Sequence, residues 1–157
     1  MPETLWSKVY PMLVNKQKEL DDFVEENVQK GYIALSKSPM SPPVFFIKKK
    51  DRKLRLIQEY QKLNEITIKN QYPLPLASDI VNRLRDAKDF TKFDVRWGYN
   101  DVWIKKRDEW TATFATNRGL FEPLVMFFGL TNFLATFQAL MNYIFSDLIA
   151  KGVVVVE

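Results

Sequence analysis

The chain has 157 residues, with 23 Lys and Arg against 19 Asp and Glu, a net charge of +4, and neither histidine nor cysteine. That length supports a real core, and 46% apolar residues with 14% aromatics argue against a disordered chain. Without cysteine or histidine there is no disulfide framework, thiolate chemistry, Ser-His triad or HExxH zinc site, so any catalysis must run on carboxylates, Lys and Arg, hydroxyls or a hard metal such as magnesium. The charge is concentrated: Lys48, Lys49, Lys50, Arg52, Lys53 and Arg55 face only Asp51, a local +5 that leaves the remainder at −1. By itself such a run reads first as solvated charge and second as a phosphate-binding device. The longest apolar run, Leu124 to Phe128, is too short to span a bilayer, and no leader pattern opens the chain, so a soluble, intracellular protein is expected.

In chain order, Leu20, Phe23, Val24 and Val28 recur at helical spacing, which predicts a helix over 16–30 stopped by Gly31. The proline- and serine-rich run from Ser36 to Pro43 predicts an extended connector. Val44 to Lys49 and Leu54 to Tyr60 predict a β-hairpin crowned by the basic cluster. Gln71 to Leu76 reads as extended. A helix should then cover 77–87, with Ser78 as its cap and Ile80, Val81 and Leu84 turned inward. Phe90 to Val95 alternates apolar and polar residues and predicts a strand ending near Asp94. Shorter strands are expected near 102–104, 111–116 and 120–126, with Asn117-Arg118-Gly119 as a turn. The stripe from Phe133 to Ile149 predicts one helix over 131–150, followed by Gly152 and a buried strand at Val153 to Val156. Antiparallel strands and helices without regular βαβ alternation indicate an α+β fold.

Three features carry possible chemistry: the basic hairpin, Asp94 with Gly98 and Tyr99 behind it, and the apolar run Val125 to Phe128 turning through Gly129 into the long helix. Singly, Asp94 could be a strand-end cap and the Phe pair core. Together they resemble a family. The run from Ser36 through Asp51, then Lys53-Leu54-Arg55, Tyr60, Leu63 to Asn70 and Tyr72 to Leu76, is similar to the fingers of long-terminal-repeat retrotransposon reverse transcriptases of the Gypsy (Ty3-like) class. The likeness continues through Phe90 to Asn100, Asn117 to Glu122, Phe128 to Asn132 and Ala135 to Gln138.

The resemblance implies fingers and a partial palm over 16–157, after an N-terminal extension of 1–15. It also implies template-directed nucleotidyl transfer, in which two magnesium ions clamp the attacking and leaving oxygens. Asp94 is then a catalytic, metal-holding carboxylate. Lys49 and Arg55 contact the incoming triphosphate, Tyr99 is a steric gate beneath the sugar, Phe128 and Gly129 floor the nucleotide, and Leu56 lies near the templating base. The implied partners are an RNA or DNA template-primer and deoxynucleoside triphosphates. The family continues into Tyr-x-Asp-Asp just beyond Val156, so this chain is expected to be inactive alone. A non-catalytic binding module and a degenerate element remnant are the alternatives. Lys48, Lys50, Arg52 and Lys53 are expected to be solvated, Asp101 to be a surface residue, and Trp97 and Trp103 to pack. Glu59, Gln61, Arg52, Thr111, Ala115 and Phe133-Leu134 depart from the family pattern.

Overall fold

The computed structural model describes residues 9–50, 53–96 and 98–156. Its elements run α1 (Val14–Gln29), β1 (Ile33–Leu35), β2 (Val44–Lys48), β3 (Leu54–Gln58), α2 (Gln61–Ile66), α3 (Ala77–Leu84), β4 (Phe114–Thr116), β5 (Gly119–Pro123), α4 (Phe133–Ile144) and α5 (Ser146–Ala150). Short 3-10 turns cover Gly98–Asp101 and Glu109–Ala112. The mixture of helices with two small antiparallel sheets is the α+β architecture expected from the sequence. The chain divides into two compact units, Met1–Thr67 with Tyr99–Leu130, and Ile68–Gly98 with Thr131–Glu157.

In the first unit, α1 lies within two residues of its predicted bounds. It ends as predicted at Gly31, whose N–H bonds the Val28 carbonyl while Tyr32 N–H bonds Asn27, the double closure that satisfies otherwise orphaned helix carbonyls. Its apolar stripe places Leu20 and Val24 in a core with Ile33, Val44, Phe114, Phe121, Val125 and Phe127. Phe23 meets Phe127 edge-on, with centroids 6.0 Å apart. Met12 also packs against this core, and Tyr10 donates a hydrogen bond of 3.1 Å to Glu59 Oε2. That carboxylate raises the Tyr10 phenol pKa, chiefly by accepting its hydrogen bond.

The predicted hairpin is present, with β2 and β3 pairing from Val44–Gln58 to Lys48–Leu54. β5 lies between β1 and β4. β1 and α2 have no counterpart in the predicted elements: each spans six residues or fewer, too few for either periodicity to register. The region near 102–104 is extended and paired, with Ile104 N–H on Leu124 O and Met126 N–H on Val102 O. Of 111–116, the first residues form a 3-10 turn and only Phe114–Thr116 a strand. Trp103 is 65% exposed, contrary to its expected packing role, and its backbone forms a bridge to Val125.

The second unit departs further from expectation. α3 is shorter than predicted, its N-cap is Leu76 without a side-chain bond rather than Ser78, and none of its residues is buried. Ile80 is half-buried, but Val81 is 63% exposed and Leu84 lies at the surface, so the predicted inward face is only partly covered. Residues 90–95 are not a strand, and Phe93 is 86% exposed. Residues 153–156 are not a strand either. In both cases alternation or apolar composition supplies one side of a ladder, whereas a strand needs a neighbour to take its N–H and C=O groups. Among the described residues no strand pairs with either segment; Val153 and Val154 instead give their N–H groups to Leu148 O, and Val156 O accepts from Gln138. The long helix is present but broken at Phe145, whose φ of −98° and ψ of 14° leave the helical region and separate α4 from α5. Asn132 ties the start of α4 to the preceding segment, donating to Ile68 O at 2.9 Å and accepting from Asn70 N–H at 2.8 Å. Asn142 donates to the Tyr72 hydroxyl at 2.9 Å.

Candidate functional site

Strand alternation sorts the hairpin side chains. Leu56 pairs across the ladder with Phe46, and both are half-buried against the first unit's core. Arg55 pairs with Ile47 on the opposite face, and is exposed. Lys49 lies one step beyond β2, where its N–H bonds Lys53 O at 2.8 Å and extends the ladder. Alternation therefore gives Lys49, and Lys53 opposite it, the same face as Ile47 and Arg55, so three cations share one side of the hairpin. Lys48, Lys50 and Lys53 are exposed as expected, while Asp51, Arg52 and Trp97 lie outside the described residues.

Three distant parts of the sequence meet at Phe128. The Arg55 guanidinium carbon lies over the Phe128 ring, 5.0 Å from the centroid. Phe128 also meets Tyr99 in an edge-to-face contact, with centroids 5.1 Å apart and planes at 63°. Gly129 then turns the chain with φ +103°, a conformation that a side chain strains. Its would-be Cβ would come within 3.5 Å of the Tyr60 ring and 3.6 Å of Gln58 O, so β3 and its exit lie directly beneath the turn. Asn64 Nδ2 donates to Gly129 O at 2.6 Å. Tyr60 is itself fixed by burial and by a hydrogen bond of 2.6 Å from its hydroxyl to Ala112 O. Burial pushes its phenol far above the ordinary range, so it remains a neutral donor.

Of the residues singled out in the sequence, the fold thus brings together Arg55, Tyr99, Phe128 and Gly129, with Lys49 on the same hairpin face. Leu56 is on the other face. Asp94 is exposed and belongs to the second unit. A separate cavity of about 240 Å³ in the first unit is lined by Met40, Pro42, Pro43, Glu59, Gln61, Lys62, Leu63 and Glu65, none of them a predicted site residue. Tyr60 and Asn64 stand within the runs that carry the family likeness, but the likeness assigns neither a role at the site. Periodicity does not show the supporting role of Asn64 or Tyr60, which is made by contacts 65 and 52 residues away. Gly98 is buried, and a Cβ there would lie 2.7 Å from Val95 Cγ1 and 3.0 Å from Phe137 Cζ. It is glycine because the second unit leaves no room for a side chain. Among the departures, Ala115 is buried within β4 and Phe133 is buried at the start of α4.

The sequence signature of reverse transcriptase (RNA-dependent DNA polymerase) covers residues 47–156. The chain belongs to the reverse transcriptase family. It is 35% identical over 152 residues to the retrovirus-related Pol polyprotein from transposon 297 of Drosophila melanogaster, covering 94% of this chain and 14% of that protein. It is 33% identical over 138 residues to the transposon Tf2-3 polyprotein of Schizosaccharomyces pombe, covering 88% of this chain and 10% of the other. The chain therefore spans about a tenth to a seventh of these relatives and corresponds to part of a retrotransposon reverse transcriptase domain. The fold matches the foamy viral protease-reverse transcriptase solved in complex with an RNA/DNA hybrid, at a TM-score of 0.77 and 14% identity, covering 92% of this chain and 20% of that one.

The family uses divalent metal ions. Among the described residues, no three acidic side chains group as a metal site requires. Two adjacent divalent cations need several carboxylates to offset their mutual repulsion. Asp94 alone does not fit that two-ion site.

Proposed function

We propose that this chain is the nucleotide-engaging fingers and the beginning of the palm of a retroelement reverse transcriptase, and that it does not extend primers by itself. The reading rests on one observation above all: Arg55, Tyr99 and Phe128, from three separate stretches of sequence, converge on the first unit. Arg55 and Lys49 are the cations for a triphosphate, because a planar guanidinium can take phosphate oxygens through several N–H donors while an ammonium adds a mobile point charge. Tyr99 supplies bulk beneath the sugar, where a 2′-hydroxyl would need room. Gly129 lets the backbone close under the nucleotide beside Phe128, and Leu56 acts near the templating base from the other hairpin face. Asp94 is one carboxylate of a metal-binding set, with magnesium as its ion. The partners are a template-primer, like the RNA/DNA hybrid bound by the foamy viral enzyme, and deoxynucleoside triphosphates.

The test is primer extension by the 157-residue chain on an RNA template with magnesium and all four deoxynucleotides. No extension is expected. Incorporation abolished by Asp94→Asn would overturn the inactivity. A second reading, a non-catalytic binding module, draws on the cations gathered on one hairpin face. It predicts salt-sensitive template binding that falls in the Lys49→Ala, Arg55→Ala double variant, since each lost phosphate contact reduces counterion release.

A further inference from the structure

The contacts around Phe128 do more than floor a nucleotide. Its ring touches both Arg55 and Tyr99, so the group proposed for the triphosphate and the group proposed for the sugar are joined through one side chain. We infer that Phe128 is a positioning residue that holds the Arg55 guanidinium ready for phosphate and couples its placement to Tyr99. The inference rests on the nucleotide-site reading above.

An exposed arginine on a hairpin loses considerable rotamer freedom when a ligand orders it. Seating the guanidinium over an aromatic face removes part of that loss beforehand. It leaves the N–H donors, which lie around the guanidinium edge, available to phosphate oxygens. The ring can serve as such a platform only if it is held itself. The Gly129 turn fixes the chain immediately after it, Asn64 bonds the Gly129 carbonyl at 2.6 Å, and the buried Tyr60 ring lies under the turn. Tyr99 flanks the ring edge-to-face, so displacing Phe128 frees the cation and shifts the sugar-side bulk together.

The test is equilibrium binding of three probes to the full chain: dATP, ATP and inorganic tripolyphosphate. Phe128→Leu should weaken dATP and tripolyphosphate about two- to fivefold, the range of an exposed cation–π contact, and should narrow the preference for dATP over ATP. Phe128→Tyr, which keeps an aromatic face, should restore all three. Adding Arg55→Lys to Phe128→Leu should cost less than it does in the wild-type chain, because the shared contact is already gone. Phe128→Met keeps bulk without a ring and replaces Phe128→Leu if that variant fails to fold. Unchanged tripolyphosphate binding in both ring-less variants, with a wild-type chain that binds, would overturn the inference and leave the nucleotide site standing. A wild-type chain that binds none of the probes would overturn the site and the inference together.

Discussion

Gly98→Ala sets two effects of similar size against each other. Gly98 opens the 3-10 turn of Gly98–Asp101, a right-handed backbone conformation that alanine adopts without strain. At such a position, replacing glycine ordinarily stabilises a protein by about 0.4–1 kcal/mol through the unfolded chain. Against this, the new Cβ would meet Val95 Cγ1 at 2.7 Å and two Phe137 ring atoms at 3.0 and 3.1 Å. Val95 is half-exposed and can rotate away, but the Phe137 ring is carried on α4 and partly buried, so the helix or the 95–98 turn must shift. Overpacking of this kind costs about 1–3 kcal/mol, larger than the entropic gain. The net expectation is about 1–2 kcal/mol of destabilisation, read as a lower urea midpoint at unchanged slope. Trimming the neighbour in a Gly98→Ala, Phe137→Leu pair should recover part of that loss relative to additivity. A Gly98→Ala variant with a raised midpoint would refute the packing argument.

The remaining predictions concern the frame around Phe128 and the start of α4. Tyr60→Phe should cost about 1–2 kcal/mol in chemical denaturation, because it leaves the buried Ala112 carbonyl without its donor. Burial raises the Tyr60 phenol above its ordinary 10.0, so the folded chain keeps a proton that the unfolded chain releases; this stability is intact below pH 10 and is lost as pH rises beyond it. Stability measured between pH 9 and 11.5 should therefore fall more steeply in the wild-type chain than in Tyr60→Phe. Gly129→Ala should lose about 1–2 kcal/mol from its φ of +103° alone, and should weaken dATP binding more than Gly31→Ala does at comparable stability. Asn132→Ala removes the two hydrogen bonds to residues 68 and 70 and should cost about 1 kcal/mol, with amide exchange quickened at Asn70.

Local pattern made the first unit legible. The apolar spacing of Leu20 and Val24, the Gly31 stop and the paired runs around the basic cluster all describe interactions between near neighbours, and the α1 helix and the hairpin follow them. The second unit was harder to read because its signals concern partners. Phe90 to Val95 alternates like a strand, and Val81 and Leu84 have helical spacing, but neither pattern states what lies opposite. Those residues are exposed rather than paired or buried. The site divides the same way. Resemblance pointed to Arg55, Tyr99, Phe128 and Gly129, yet the stacking of Arg55 on Phe128 links residues 73 positions apart and leaves no trace in either neighbourhood. Asn64 and Tyr60 lie within the runs that carry the likeness, but their hold on the Gly129 turn depends on contacts that local pattern does not record. Leu56 differs for a simpler reason: it follows Arg55 directly, and adjacent strand residues point to opposite faces.

The most direct test of the central claim, that this chain retains a reverse transcriptase nucleotide site on its fingers, is an amide NMR titration with dTTP. The account predicts saturable shifts concentrated at Lys49, Arg55, Tyr99, Phe128 and Gly129, which disappear in Arg55→Ala. Shifts confined to the cavity lined by Pro42, Glu59 and Lys62, or no saturable shifts at all, would contradict it.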